Sequence, residues 1–202
     1  MNGENAPVLR VATYNVHACV GTDRQRSESR IAEVIAETGA DIAGLQELDL
    51  RRPRSRGVDQ AGVIAEQLGW HGFFHPAMQS GDEHYGDAII SRFPLTLRRV
   101  FDLPGPPPRY CREKRGAISM DVETPLGPVH MINTHFGLGR TERLRQAEAL
   151  ASAASAQDGH EANPLILLGD FNSLPGSRPY RAITKRLNDV RKLVSPVEKW
   201  RT

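Results

Sequence analysis

Leu165-Ile166-Leu167-Leu168-Gly169-Asp170-Phe171-Asn172 is a short apolar run that breaks on a glycine and then delivers an acid and an amide two residues apart. An apolar run bounded by turn formers reads as a buried strand, and Gly, Asp and Asn then turn the chain. A buried strand does not ordinarily finish on a carboxylate unless that carboxylate faces something polar. The same grammar recurs three times. Val11-Ala12-Thr13-Tyr14 finishes at Asn15, Ile42-Ala43-Gly44-Leu45-Gln46 at Glu47, and His130-Met131-Ile132-Asn133-Thr134 at His135. In α/β proteins, ligand groups converge at the carboxyl ends of strands. Two carboxylates, two amides and an imidazole on one rim form a hard, oxygen-rich site. That donor set suits Mg²⁺ or Mn²⁺; the thiol and paired-histidine spacings of a Zn²⁺ site are missing.

Outward from that rim, strand and helix patterns fill the chain. Val8 to Val16 is a strand rich in β-branched residues. Ser27 to Thr38 carries Ile31, Val34, Ile35 and Thr38 on one helical face and stops at Gly39. Asp41 to Glu47 is a second buried strand. From about Val58, Ala61, Ile64, Ala65 and Leu68 recur at helical spacing before the stop signal Gly69. Tyr85 to Ser91, Leu95 to Leu103 and Arg115 to Glu123 read as strands, and Thr124-Pro125-Leu126-Gly127 turns the chain into Val129 to Phe136. A helix with Leu144, Ala147, Ala151 and Ala154 along one stripe precedes Leu165 to Leu168. Ser177-Arg178-Pro179 opens a last helix carrying Tyr180, Ile183 and Leu187. Leu103-Pro104-Gly105-Pro106-Pro107-Pro108 is a rigid, non-helical connection. Strands and helices without strict βαβ alternation predict a layered α/β sandwich.

The chain has 202 residues, 26 Lys plus Arg, 24 Asp plus Glu and a net charge of +2. That length suits one domain over residues 1–202. The balanced charge excludes a strongly basic nucleic-acid arm and an acidic disordered tail. No apolar run approaches the ~20 residues of a membrane span, and Met1 to Pro7 lacks the basic and apolar regions of a signal peptide. Cys19 and Cys111 form neither a metal spacing nor a disulfide framework, so a reducing, cytoplasmic setting is expected. Arginine outnumbers lysine 22 to 4, and arginine is the better fork for phosphate or carboxylate.

Five motifs then occur in order: Thr13-Tyr14-Asn15-Val16-His17, Leu45-Gln46-Glu47, Tyr85-Gly86-Asp87-Ala88-Ile89-Ile90-Ser91-Arg92, Asn133-Thr134-His135 and Gly169-Asp170-Phe171-Asn172. Together they resemble the endonuclease/exonuclease/phosphatase superfamily, with its DNase I-like fold, and most closely its compact bacterial members. The resemblance spans about residues 8 to 190. It implies a four-layer α/β sandwich of two mixed sheets packed face to face with helices outside. It also implies a metal-dependent phosphoester hydrolase, expected to be a phosphodiesterase that uses direct attack of water.

By the same resemblance, Glu47 holds a Mg²⁺ or Mn²⁺ ion with Asn15 as an amide ligand or orienting group. Asp170 orients or deprotonates the water, and Asn172 donates to the phosphate as charge builds. His135 binds a phosphate oxygen or protonates the leaving group, and Arg115 reaches towards the phosphate. One family element is missing: an Asp-His pair on a further strand, so the domain is expected to be C-terminally incomplete. A rival expectation follows, a catalytically incomplete phosphate- or protein-binding module on the same fold. The substrate stays open between a phospholipid headgroup, a small phosphodiester and nucleic acid. Near-neutral charge and 6% aromatic content argue away from a dedicated DNA-repair nuclease. No obligate protein partner is implied.

Several residues stand between a structural and a functional reading. Arg51-Arg52-Pro53-Arg54-Ser55-Arg56 is either a solvated loop or a phosphate-facing rim. His71, His75, His84, His130 and His160 share no spacing and read as structural or exposed. Trp70, Phe73 and Phe74 read as core. His17 shares strand parity with Asn15, which points it at the same cleft. Cys19 borders that cleft with nothing to activate its thiol.

Overall fold

The computed structural model describes residues 7–105, 113–155 and 163–193. Cys111, His160, the prolines at 106–108 and everything after Leu193 fall outside those residues. Among the described residues the chain runs β1 (Val11–Asn15), α1 (Glu28–Glu37), β2 (Ile42–Leu50), α2 (Gln60–Leu68), β3 (His71–Ser80), β4 (Glu83–Ser91), β5 (Leu95–Asp102), β6 (Gly116–Thr124), β7 (Gly127–His135), α3 (Arg140–Ser155), β8 (Leu165–Asp170) and α4 (Arg178–Thr184). Helices start where a short polar side chain covers an orphan amide. Ser27 accepts from Arg30 N, Asp59 from Gly62 N and Ser177 from Tyr180 N. Each such cap is worth about 1 kcal/mol. The α2 helix ends at Gly69, whose φ of 65° is costly for a residue with a Cβ.

The strands form two sheets of matching plan. The first has the order β1-β2-β4-β3, with β1 and β2 parallel and the other pairs antiparallel. The second has the order β5-β6-β7-β8, with β7 and β8 parallel. Each sheet therefore keeps one parallel pair at one edge, and β1 touches β8 across the sandwich. Alternating side chains bury both faces of each sheet. Ile42, Ile89, Ile118, Met120, Met131 and Leu168 fill the space between the sheets. Ala43, Leu45, Ala88 and Ile90 turn outwards to Ile31 and Ile35 of α1 and Ile64 of α2. On the far side, Ile132 and Phe136 pack on Ala147 and Leu150 of α3 and Ile183 of α4. Each of the large aliphatic and aromatic side chains among them contributes about 1.5–3 kcal/mol of burial. The result is the four-layer α/β sandwich that the sequence led us to expect. None of its described helices is long and apolar enough to cross a membrane.

Gly44 packs directly against Leu168 of the other sheet. A Cβ on Gly44 would stand 1.9 Å from Leu168 Cδ1 and 2.9 Å from the Asn133 carboxamide.

Two local readings need correction. Residues 71–80 form a full strand, which the sequence pattern hid because Gly72 and Pro76 interrupt it. Proline is tolerated there because β3 is an edge strand, and its pairing with β4 slips between Pro76 and Met78. On α3 the buried stripe runs through Ala147, Leu150 and Ala151, while Leu144 is only half-buried.

Candidate active site

All six residues assigned to the site by sequence line one cleft of about 550 Å³. Asn15 ends β1, His135 ends β7 and Asp170 ends β8, with Arg115 just before β6 and Asn172 two residues past β8. Glu47 differs from expectation in one respect. Its strand continues to Leu50, and the pairing with β4 slips between Leu45 and Leu48. Glu47 sits in that bulge with φ 64°. A bulge re-aims a side chain, and here it presents the carboxylate to the cleft. Asn172, with φ 45°, is held in the same region, which asparagine tolerates better than other residues with a Cβ.

One amide holds the two carboxylates together. Asn15 Nδ2 donates to Glu47 Oε1 at 2.8 Å and to Asp170 Oδ2 at 3.1 Å. Its Oδ1 accepts from His17 N at 3.1 Å, and His17 Nδ1 lies 3.0 Å from Glu47 Oε2. Asp170 Oδ1 accepts from Asn172 N at 2.9 Å. Burial works to raise the Glu47 carboxyl, but the Asn15 hydrogen bond and the neighbouring His135 and His17 outweigh it and hold the group below its ordinary range. The same balance holds Asp170 low: burial is outweighed by the Asn172 N–H and Asn15. Both acids are ionised at neutral pH.

His135 is oriented by Arg115. The Arg115 guanidinium is buried, pairs with Glu113 at 2.7 Å and lies 3.1 Å from His135 Nδ1. Arginine can only donate, so Nδ1 accepts and the neutral ring carries its proton on Nε2. That N–H faces Glu47 Oε1 at 3.9 Å and Asp170 Oδ2 at 3.8 Å. It also lies 3.2 Å from Asn172 Nδ2, which donates to Phe136 O at 2.9 Å. Both are donors, so they do not bond to each other, and an acceptor lying against the pair would meet both. Burial and the Arg115 charge push the His135 imidazolium down to about 4, against Asp170 and Glu47, so the ring is neutral at pH 7.

A layer below the cleft carries residues to which the motifs gave no role. Asp87 is buried under Glu47 and accepts its backbone N–H at 3.4 Å. Burial raises the Asp87 carboxyl to about 7, helped by Glu47 and Asp170 and opposed by the Glu47 N–H and Arg115. Gln46 Nε2 donates to Asn133 Oδ1 at 2.8 Å, and Asn133 Nδ2 donates to Leu45 O and Ala88 O. That pair ties the two sheets together directly behind the site. Gln146 accepts from Gly137 N at 2.9 Å and so steadies the segment after His135. Tyr85 lines the cleft with its phenol pushed up by burial, under the Arg54 guanidinium at 5.3 Å. Cys19 is buried and is not among the residues lining the cleft, contrary to the sequence reading, and burial, with Glu28 and Asp49, raises its thiol to about 12. His130 is structural: it is buried, 2.7 Å from Ser119 Oγ.

Among the described residues no group of three or more His, Cys, Asp or Glu side chains forms a metal cage. Mg²⁺ does not need one, because it is commonly held by one or two carboxylates plus water and substrate oxygens. Glu47 and Asn15 fit that pattern. Asn15 presents its NH₂ to both carboxylates; as a cation ligand beside Glu47 it would present its carboxamide oxygen instead.

The family model described as Endonuclease/Exonuclease/phosphatase family matches residues 12–200. The chain belongs to this family. Over 182 residues it is 24% identical to protein cwh43 of Schizosaccharomyces pombe, covering 90% of this chain and 18% of that protein. Its fold matches an endonuclease/exonuclease/phosphatase from Beutenbergia cavernae with TM-score 0.70 at 24% identity, covering 88% of this chain and 52% of that one. It also matches the mannosyl-6-phosphatase Bt3783 of Bacteroides thetaiotaomicron with TM-score 0.67 at 20% identity, covering 88% and 70%. At those identities the structural likeness carries the fold alone. The chain spans under a fifth of cwh43 and about half of the Beutenbergia protein.

Proposed function

We propose that this chain is a divalent-cation-dependent phosphoester hydrolase, and within that class a phosphodiesterase acting by direct attack of water. The observation that carries the reading is the pair of donors, His135 Nε2–H and Asn172 Nδ2, 3.2 Å apart beside two carboxylates that share Asn15. A phosphoryl oxygen would satisfy both donors at once. Glu47, with Asn15, would hold Mg²⁺ or Mn²⁺, which supplies charge neutralisation at the phosphoryl oxygens when bound. Asp170, ionised and fixed by two hydrogen bonds, orients the water and accepts its proton. Oxygen of that water bonds to phosphorus, the bond to the leaving alkoxide breaks, and the alkoxide takes up a proton. Arg115 acts through His135 by fixing which ring nitrogen carries the hydrogen. A phosphatase among the fold neighbours supports phosphoester chemistry, and the near-neutral charge favours a small phosphodiester or phospholipid headgroup over nucleic acid.

The test is release of p-nitrophenol from bis-p-nitrophenyl phosphate with Mn²⁺ or Mg²⁺, alongside a phospholipid and DNA. Chelator-sensitive release that falls about 10²–10⁴-fold in Asp170→Asn supports the reading; release indifferent to chelator or to that substitution overturns it. The rival is a binding module on the same fold. That reading predicts cation-dependent phosphodiester binding with no release.

A further inference from the structure

Beside the carboxylate cleft, and sharing His17, Ala18 and Arg54 with it, lies a second cavity of about 670 Å³ that the chemistry above does not use. Two loops wall it, residues 20–26 ahead of α1 and residues 51–57 after β2. Arg24, Arg26, Arg54 and Arg56 line it against one acid, Asp49. Asp49 is fully buried and already engaged: Arg54 donates to it twice, at 2.8 and 2.7 Å, and Arg52 lies 3.6 Å away. Arg26 is engaged as well, 3.4 Å from Glu28 and donating to Arg54 O at 2.9 Å, which fastens one loop to the other. Arg24 and Arg56 are different. Both are exposed, and neither side chain makes a hydrogen bond or ion pair among the described residues.

Both also sit in left-handed backbone, at φ 61° and 57°. Arg24 N is held by Gly21 O at 2.9 Å and Arg56 N by Pro53 O at 2.9 Å. The base of the cavity is braced by Gln60 Nε2, which donates to Ala18 O at 2.7 Å and to Glu28 Oε1 at 2.9 Å. Like charges on prearranged backbone, facing a cavity, suit an anion, because less ordering is left to be done on binding. Guanidinium groups match phosphate oxygens in geometry as well as in charge. A merely solvated basic loop requires neither the shared cavity nor the bracing. Resting on the phosphoester reading of the adjoining cleft, we propose that this cavity is a subsite for a second phosphate of the substrate, held by Arg24 and Arg56. The substrate class is then a small molecule or headgroup with a phosphate besides the scissile one.

Amide NMR of the 202-residue chain in chelator, titrated with propane-1,3-diol bisphosphate and separately with phosphatidylcholine vesicles carrying phosphatidylinositol 4-phosphate, tests this. Amides of residues 20–26 and 51–57 should shift in at least one arm, and the responding arm identifies a soluble or a lipid-borne phosphate. Arg24→Ala/Arg56→Ala should bind about tenfold more weakly or worse, and Arg24→Lys/Arg56→Lys should recover part of the loss. Silence in both arms, equal affinity of the alanine variant, or preference for an oligonucleotide overturns the subsite. Adding Mg²⁺ and following Glu47, Asp170 and Asn172 reports on the other reading separately. Loop shifts with a silent cleft would leave the anion site standing and defeat the phosphoester assignment.

Discussion

At the floor of the cleft the carboxylates of Glu47 and Asp170 share one donor, Asn15, whereas on the adjoining wall Arg24 and Arg56 face their cavity unpaired. The floor is made of strand ends. Its side chains restrain one another, and sheet register sets their spacing. The wall is made of loops, and its backbone rather than its side chains is restrained. Backbone strain follows the same boundary. The described non-glycine residues with positive φ are His17, Ala18, Cys19, Arg24, Glu47, Arg51, Arg56 and Asn172; all but Cys19 are in the cleft or in the segments that form its wall. Strain of this kind persists only where surrounding structure over-determines it. Two devices thus serve one region: a rigid floor of mutually fixed groups, and a wall of fixed backbone presenting free cations.

The sharpest way to break that contrast is through pH, since the floor holds two groups of opposite behaviour. His135 is depressed from 6.5 to about 4, so the unfolded chain takes up a proton that the folded chain refuses. Its contribution is complete above pH 6.5 and lost as pH falls towards 4, up to about 3 kcal/mol. Asp87 is raised from 3.8 to about 7, so it has the opposite sign and favours the folded state as pH falls through that window. Thermal melts should show wild type losing stability relative to His135→Gln on acidification, and gaining relative to Asp87→Asn. Parallel pH profiles for all three proteins would mean that the floor is not desolvated as described.

A smaller effect is expected on the wall. Asp49→Asn leaves the Arg54 and Arg52 guanidinium groups without their carboxylate, and should lower stability by about 1–3 kcal/mol in a denaturant titration. It should also disturb amides at 51–57 more than those at Asn15 or Asp170. An equal disturbance of both regions would show that floor and wall are one unit.

Most of the floor was legible in the sequence because Asn15, Glu47, His135 and Asp170 follow apolar runs and sit in short motifs. Gly169-Asp170-Phe171-Asn172 fixes its own turn, and a Cβ at Gly169 would meet Thr134 O at 1.9 Å. What escaped depends on partners distant in sequence. Gln46 and Asn133 were read as parts of motifs, and their pairing across the sheets is visible only once the sheets are stacked. Asp87 lies inside an apolar strand, and nothing local says that it underlies Glu47. The Arg51-to-Arg56 cluster divides in a way that no spacing foretells: Arg54 and Arg52 neutralise a buried acid, Ser55 is buried, and Arg56 faces the cavity. Arg24 comes from a different loop altogether.

The central claim is that the floor binds a divalent cation through Glu47. Isothermal titration of Mn²⁺ into wild type and Glu47→Gln tests it most directly, because the amide keeps the shape and hydrogen-bonding reach of the side chain while removing the charge that holds a hard cation. We predict one binding event in wild type that weakens at least about tenfold in the variant, with the amide spectrum elsewhere unchanged. Equal Mn²⁺ affinity in the two proteins would contradict the assignment of Glu47 and, with it, the metal-dependent reading of the cleft.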